Sequence, residues 1–362
     1  MLKENILNVA IIGLGHLHPR AYMPLFENCK NTRVVAAYDE NAELVDNFCR
    51  DFGLHSYHEL NAILENERID IAAIFLPHSD AGQAAIKCAR KGIHLMVEKP
   101  VTATSRQAKE VSKAVADNHV KATTGYCWRY HPVIKKMKEC INLGYIGDVV
   151  SVEARLAAGK VDRYIKGNSS WMLEKAKSGG GPLYNLGVHW IDTLCYLLDD
   201  KISQVCAVNT KTSDEYDIED NSISMLKFHS GIVGVLSTSY IVPDCFPSGR
   251  DLYLGIKGTK GVLSFAPGYE GEKGSSGEGQ TDILELYSDS KKVAGASARH
   301  FIFKLDKVEG YSGYLGKAYV EEFVDAIIND NQPFITMEQA IDVLDVVEAI
   351  YKSDEASTWI NV

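Results

Sequence analysis

VAIIGLGHLH, from Val9 to His18, runs an apolar, β-branched segment straight into a turn bracketed by glycines. Continuous apolarity without alternation suits a strand buried on both faces. Gly13 allows the chain to turn tightly, and Gly15 lets the backbone approach a pyrophosphate with no side chain in the way. A helix starts near Pro19, and its N-terminus offers free N–H groups and partial positive charge to phosphates. His16 and Leu17 complete the turn. His18 stands where the G-x-G-x-x-G fingerprint has its third glycine, so the match is partial.

The same texture continues outward. RVVAAYD from Arg33, IDIAAIFLP from Ile69, GIHLMVEKP from Gly92 and KATTGYC from Lys121 are short apolar runs. Between them lie the helix-period stretches AELVDNFCRDFG, HSDAGQAAIKCARKG and SRQAKEVSKAVADN. Strand, helix, strand with short connections predicts βαβ units and a parallel, doubly wound sheet over residues 1–125. The second run ends in Asp39, about 20 residues past the glycines, where an acid accepts from the ribose hydroxyls of a dinucleotide. It would repel a 2′-phosphate, which favours NAD and leaves NADP open. Asp39 could instead cap the helix that follows it.

After about His131 the pattern changes to alternating strands joined by short glycine turns. VVSVEARLAAG, ISQVCAVNTKTS, DNSISMLKFHS, GIVGVLSTSYIV, RDLYLGIKGTKGVLSFA and DILELYS predict a mostly antiparallel sheet. One helix precedes it, one lies early within it and two close the chain, so residues 126–362 read as an α+β domain. The glycine-rich segment from Gly268 to Thr281 reads as a loop.

Two further stretches carry chemistry. In Gly92–Val101, GIHLMVEKPV, an apolar strand ends abruptly in Glu98, Lys99 and Pro100. Open parallel sheets bind ligands beyond the carboxyl ends of their strands. A partly desolvated Lys there has a lowered pKa and can exchange a proton with a substrate hydroxyl. The plainer alternative is a solvent-facing Lys paired with Glu98. In Ser178–Asp192, SGGGPLYNLGVHWID, three glycines precede a helix bearing Asn185, His189 and Asp192. Spacings of four and three put all three on neighbouring faces. An amide one turn before a His can hold its ring, the usual support for a general base. An ordinary core His is the alternative. A metal bound by His189 and Asp192 lacks a second close ligand pair, so no metal is expected.

Composition narrows the class. The chain of 362 residues carries a net charge of −10, which disfavours a nucleic-acid or anionic-lipid surface. No run approaches the roughly 18 apolar residues of a membrane helix. The eight cysteines form no CxxC pair and read as reduced thiols of a cytoplasmic protein.

Taken in order, GLGHLH, Asp39, FLPHSD, GIHLMVEKP, GYCWRYHP and SGGGPLYNLGVHWIDTL resemble the Gfo/Idh/MocA family of oxidoreductases. The resemblance covers most of the chain. It implies a Rossmann domain followed by an α/β domain with a large open sheet. It also implies a nicotinamide cofactor and hydride transfer at a carbon bearing a hydroxyl, on a sugar, a cyclitol or a derivative. Carried over residue by residue, it implies Lys99 and His189 as catalytic groups with Asn185 orienting His189. Leu76, Pro77, His78, Glu98, Trp128 and Arg129 would join the glycine turn at the cofactor, and Tyr126 and Trp171 would face the substrate. Trp128 and Trp171 could equally be packing aromatics. Arg163 and Tyr164 could line the substrate side; the plainer reading is an exposed loop.

The chain departs from the family pattern at Asn185, where an Asp is common, and at His78 and Ala81, where the usual residues are Asn and His. His78 could stand in for the missing group. The outer face of the second sheet is expected to form a homodimer or homotetramer. Two rival readings are a hydrolase or lyase that oxidises its substrate only transiently, and a sensor that binds NAD without turnover.

Overall fold

β1 (Leu7–Ile12) leads into α1 (Pro19–Glu27), and the alternation continues through β2 (Thr32–Tyr38), α2 (Ala42–Phe52), β3 (His55–Tyr57), α3 (Leu60–Asn66), β4 (Ile71–Ile74), α4 (His78–Arg90), β5 (His94–Val97), α5 (Ser105–Asp117) and β6 (Ala122–Thr124). The computed structural model describes residues 6–243, 245–246, 249–267 and 281–362. The six strands form one sheet in the order β3-β2-β1-β4-β5-β6. Every pair in it is parallel. β4 is buried along its whole length, and only the first residues of β1 and β5 reach the surface. The unbroken apolar runs record helices on both faces. The strand order reverses between β1 and β4, the place where such sheets receive ligands.

The second layer begins after α6 (Pro132–Asn142) with β7 (Val149–Ala158). Then come α7 (Asp162–Lys166), α8 (Lys175–Ser178), a π-helical turn over Leu183–Gly187 and α9 (Val188–Leu198). Strands β8 (Ile202–Thr210), β9 (Asn221–Phe228), β10 (Val233–Ser239), β11 (Arg250–Gly258), β12 (Gly261–Phe265), β13 (Thr281–Ser288) and β14 (Ala298–Lys304) precede α10 (Tyr314–Ile328), α11 (Met337–Ala356) and the short β15 (Ile360–Asn361). These nine strands form one sheet, β14-β13-β12-β11-β7-β10-β9-β8-β15, antiparallel except where β10 runs parallel to β7.

One face of this sheet packs under α6, α9 and α11. The other carries apolar side chains in the open, among them Val208, Ile223, Met225, Val233 and Val235. α11 also packs against α5 of the first layer, where Glu348 accepts from the Ser105 backbone N–H at 2.7 Å. The layers are thereby joined by the last helix as well as by the chain between them.

The expected fold is present, with additions. β3 is only three residues of HSY, too short and polar to show as an apolar run, and β14 and β15 were likewise not expected. The expected glycine-rich loop lies, up to Gln280, outside the described residues. Among the described residues no helix is long and apolar enough to cross a membrane, and no two cysteines are paired.

Candidate active site

A cavity of about 390 Å³ opens where the carboxyl ends of the first sheet face β7 and β11 of the second. His16, Leu17 and His18 of the glycine turn line one side, Leu156, Ala158, Arg250 and Leu252 the other, and Lys99, Asn185 and His189 the space between. The two stretches singled out for chemistry therefore meet, although about 90 residues separate them in sequence.

Lys99 follows β5 and is 3% exposed, so it is not a surface lysine paired with Glu98. Its ammonium donates to the Asn185 side-chain oxygen at 2.5 Å and the Asn185 carbonyl at 3.0 Å. Burial holds its pKa below the ordinary lysine value, against the opposing pull of Glu98. Glu98 accepts from the Lys99 backbone N–H and lies 3.1 Å from His18 Nδ1. It is buried behind the cavity and does not line it.

Asn185 corrects an expectation. Its amide does not hold His189: the oxygen takes Lys99 and the nitrogen donates to the Tyr164 hydroxyl at 2.5 Å. The cause is local. Asn185 sits in the π turn, whose wider i→i+5 path carries its side chain off the face that an ordinary helix would share with residue 189. His189 Nδ1 is buried with no partner among the described residues, and its ring packs edge-on to Tyr126 at 6.2 Å. Burial, then the charge of Lys99, holds this imidazole well below its ordinary pKa and therefore neutral near pH 7. Tyr126 backs His189 and lies outside the cavity lining, contrary to its expected place at the substrate.

Asp192 is committed elsewhere. It receives Arg129 Nε at 2.8 Å and Nη2 at 2.5 Å, a two-pronged pair with both side chains buried. Arg129 also donates to Gln339 at 3.0 Å, which ties α9 to the start of α11. Arg129, expected at the cofactor, is held in this pair and does not line the cavity. Trp128 does line the cavity, stacked on His131 with centroids 5.4 Å apart.

The glycine turn is held from beneath. Gly13 has φ +90°, and a Cβ there would lie 2.8 Å from the Leu76 backbone nitrogen, so only glycine fits. Leu76 and Pro77 close the end of β4, and Pro77 opens α4. Asp39 accepts from the Leu14 N–H at 2.6 Å, while Asn41, not Asp39, caps α2. His78 Nδ1 lies 2.7 Å from the Ser178 carbonyl, and burial pulls this imidazole down to about 4. It faces Trp171 edge-on at 4.9 Å and is a bridge to the triple glycine, outside the cavity lining. Trp171 itself donates its indole N–H to the Gly15 carbonyl at 2.5 Å. It thus covers the glycine turn, whereas a place at the substrate was expected. The triple glycine is a packing device: a Cβ on Gly181 would meet the Glu219 carbonyl at 1.9 Å.

Sequence reasoning missed His18, Arg250 and Tyr311, which all line the cavity, and preferred an exposed loop for Arg163 and Tyr164 over the substrate side, where both line the cavity as well. Tyr164 is 1% exposed, on α7. A signal for Arg250 was present. It occupies the inward phase of β11, in step with Leu252 and Leu254, where an uncompensated charge is unusual. Among the described residues, His16, His18 and Glu98 bring ligand atoms within 4.8 Å of one another, the grouping best suited to a cation.

Two family models match the chain. Residues 7–126 match the oxidoreductase family, NAD-binding Rossmann fold, and residues 138–362 its C-terminal alpha/beta domain. The chain belongs to the Gfo/Idh/MocA oxidoreductase family. It is 28% identical over 195 residues to oxidoreductase P35 of Formosa agariphila, across 53% of this chain and 61% of that protein. It is 25% identical over 265 residues to the scyllo-inositol 2-dehydrogenase (NAD(+)) of Bacillus subtilis, across 72% of this chain and 74% of that one. The solved structure of a levoglucosan dehydrogenase with NADH and levoglucosan superposes with a TM-score of 0.82 at 22% identity, covering 98% of this chain and 99% of that one. At that identity the likeness shows the fold.

The Rossmann domain's residues fit a dinucleotide. Gly13 makes the turn, and Gly15 has no protein atom closer than 3.7 Å to a would-be Cβ, leaving open approach above it. No side chain caps α1; Pro19 has no N–H and the Ala21 and Tyr22 N–H groups donate to the His18 carbonyl, which leaves the N-terminal dipole of α1 rather than a row of free donors behind the turn. Asp39 is fixed at the end of β2.

Proposed function

We propose that the protein is an NAD-dependent dehydrogenase that oxidises a secondary alcohol of a sugar, cyclitol or related polyol, and reduces the ketone in reverse. The observation that carries this reading is the convergence of Lys99 and His189 on one cavity beside the glycine turn. The names of the B. subtilis and levoglucosan relatives support the substrate class.

Bound NAD⁺ supplies the hydride acceptor. His189 is neutral and takes the hydroxyl proton. Lys99, fixed by two bonds to Asn185, donates to the same oxygen and stabilises the negative charge that develops there. Asn185 is a positioning residue for Lys99, and Tyr164 in turn fixes Asn185. Gly13, Gly15, His16, Leu17 and Asp39 hold the dinucleotide, with Leu76 and Pro77 beneath the turn. Asp39 sets the preference for NAD by repelling a 2′-phosphate. Trp171 closes over Gly15 and Trp128 walls the cavity.

The boundary between the two domains falls at 125/126, just past β6. The exposed apolar strand face of the second sheet associates with a second copy of the chain, since so much open apolar surface on one sheet marks an interface. The free thiols suit the cytoplasm. The test is a panel of sugars, inositols and sugar acids with NAD⁺ and NADP⁺, followed by the absorbance of the reduced cofactor. A substrate that turns over with wild type and fails with Lys99→Ala and His189→Ala supports the reading. Silence across the panel despite tight NADH binding counts against it.

A further inference from the structure

The cavity is cationic in an acidic protein. The chain's net charge is −10, yet among the described residues those lining the cavity include Lys99, Arg163 and Arg250 and no Asp or Glu. Among the described residues neither guanidinium meets a carboxylate. Arg163 Nη2 donates to the Tyr164 hydroxyl at 2.6 Å, and its Nε is buried with no partner among the described residues. Arg250 opens β11 opposite Ala158 at the end of β7, on the wall facing the glycine turn. Burial, then the charge of Arg163, depresses the Arg250 pKa, whereas Arg163 itself is raised, its burial being outweighed by Tyr164 and Tyr240.

Planar guanidiniums with free donors are the side chains best matched to carboxylate or phosphate oxygens. Both are half-buried, and drawing two of them partly out of water with no acid beside them among the described residues costs free energy that an anionic ligand would offset. Lys99 is already bonded to Asn185 and placed for the reacting oxygen. Arg250 on the opposite wall and Arg163 on α7, which also lines the cavity, are therefore available to the far end of the substrate.

We propose that Arg163 and Arg250 form an anion subsite, so that the substrate is a polyol or sugar bearing a carboxylate or phosphate away from the carbon that is oxidised. The proposal rests on the dehydrogenase reading for the nature of the ring, and the two fail separately.

Isothermal titration of the NADH-loaded protein with D-glucose, D-glucuronate and D-glucose 6-phosphate tests it, since these probes share one ring and differ in the terminal group. At least one anion should bind roughly tenfold tighter than glucose or better, the worth of one hydrogen bond to a charged group. That advantage should shrink with added salt, vanish in Arg250→Met and return in part in Arg250→Lys. Glucuronate in the lead marks a carboxylate site, glucose 6-phosphate a phosphate site. NADH should bind Arg250→Met as it binds wild type, which also shows that the variant folds. Weakened NADH binding would assign Arg250 to the cofactor's phosphates and overturn the proposal. Equal binding of the three probes, failure of both anions to bind, or an advantage that survives Arg250→Met would overturn it too. Turnover is read independently of all these titrations. A protein that prefers the anions but never reduces NAD⁺ keeps the subsite and loses the dehydrogenase. One that oxidises neutral sugars with no anion preference does the reverse.

Discussion

Lys99 and Asn185 are joined twice: the ammonium donates to both the side-chain and the backbone oxygen of one residue, at 2.5 and 3.0 Å. The first contact puts the side chain of residue 185 in control of the electrostatics of Lys99. A neutral amide holds the ammonium in place without adding charge, so burial dominates and the pKa stays low. Asn185→Asp would set a carboxylate against the ammonium and raise that pKa. If protonated Lys99 stabilises the developing alkoxide, kcat/KM falls as pH rises through the Lys99 pKa. The alkaline limb of the wild-type profile should then lie below the model lysine value of 10.5. It should move to higher pH in Asn185→Asp and lose about two orders of magnitude in height in Lys99→Met. A limb that stays put in Asn185→Asp would show that this contact does not govern the titration.

The acidic side of the profile belongs to His189. A base must be neutral to accept a proton, and burial with Lys99 nearby holds its pKa well below 6.5. Activity in the oxidative direction should therefore stay level as pH drops through 6.5 and fall only below it. His189→Ala should cut kcat roughly 10²- to 10⁴-fold while leaving NADH affinity in place. Stopped-flow rates across pH, with cofactor binding measured separately, check both statements. An acid limb centred at 6.5 would mean that the imidazole is solvated in the working enzyme.

The first layer was legible because its physics is local. Strands buried on both faces leave unbroken apolar runs, as β1, β4 and β5 do, and Gly13 marks the turn where no side chain fits. Lys99 and His189 could be picked out because each sits in a distinctive short motif. Their partners could not, because those depend on geometry that spacing does not encode. The π turn moved Asn185 from His189 to Lys99, and Asp192 found Arg129 across 63 residues. Arg163 and Tyr164 read as loop because α7 is a five-residue helix with no apolar stripe.

Asp39 tests the cofactor reading. Its carboxylate accepts from Leu14 and stands at the end of β2, where it would repel a 2′-phosphate. Asp39→Ser keeps a hydroxyl acceptor for Leu14 and removes the charge. NAD⁺ should lose and NADP⁺ gain kcat/KM, each by roughly tenfold, about one charge-assisted hydrogen bond. An unchanged ratio of the two would place the adenosine ribose elsewhere.

Arg129 and Asp192 predict a stability effect apart from catalysis. Both are buried, and the two-pronged bond joins α9, which carries His189, to the segment after β6. Removing one partner strands the other charge away from water. Asp192→Asn should destabilise by about 3–5 kcal/mol, and replacing both residues with apolar ones should recover part of that loss. Urea unfolding of the two single variants and the double variant measures the coupling. Additive losses would argue that the ion pair contributes nothing beyond its separate side chains.

The open face of the second sheet gives the last prediction. Met225 and Val235 are cross-strand neighbours on β9 and β10, 46% and 40% exposed, with Ile223 and Val233 beside them on the same face. Their inward neighbours Leu226 and Leu236 are fully buried, so the alternation is that of a sheet with apolar residues on both sides. Water on one side is an expensive arrangement unless something covers it. Val235→Asp and Met225→Asp place charges at the centre of that face without touching the core beneath. Light scattering after gel filtration should show an oligomer for wild type and a monomer for the double variant. Circular dichroism should be unchanged, because the substituted side chains make no contact with the helices on the other face. A wild-type chain that runs as a monomer at micromolar concentration would sink the self-association reading.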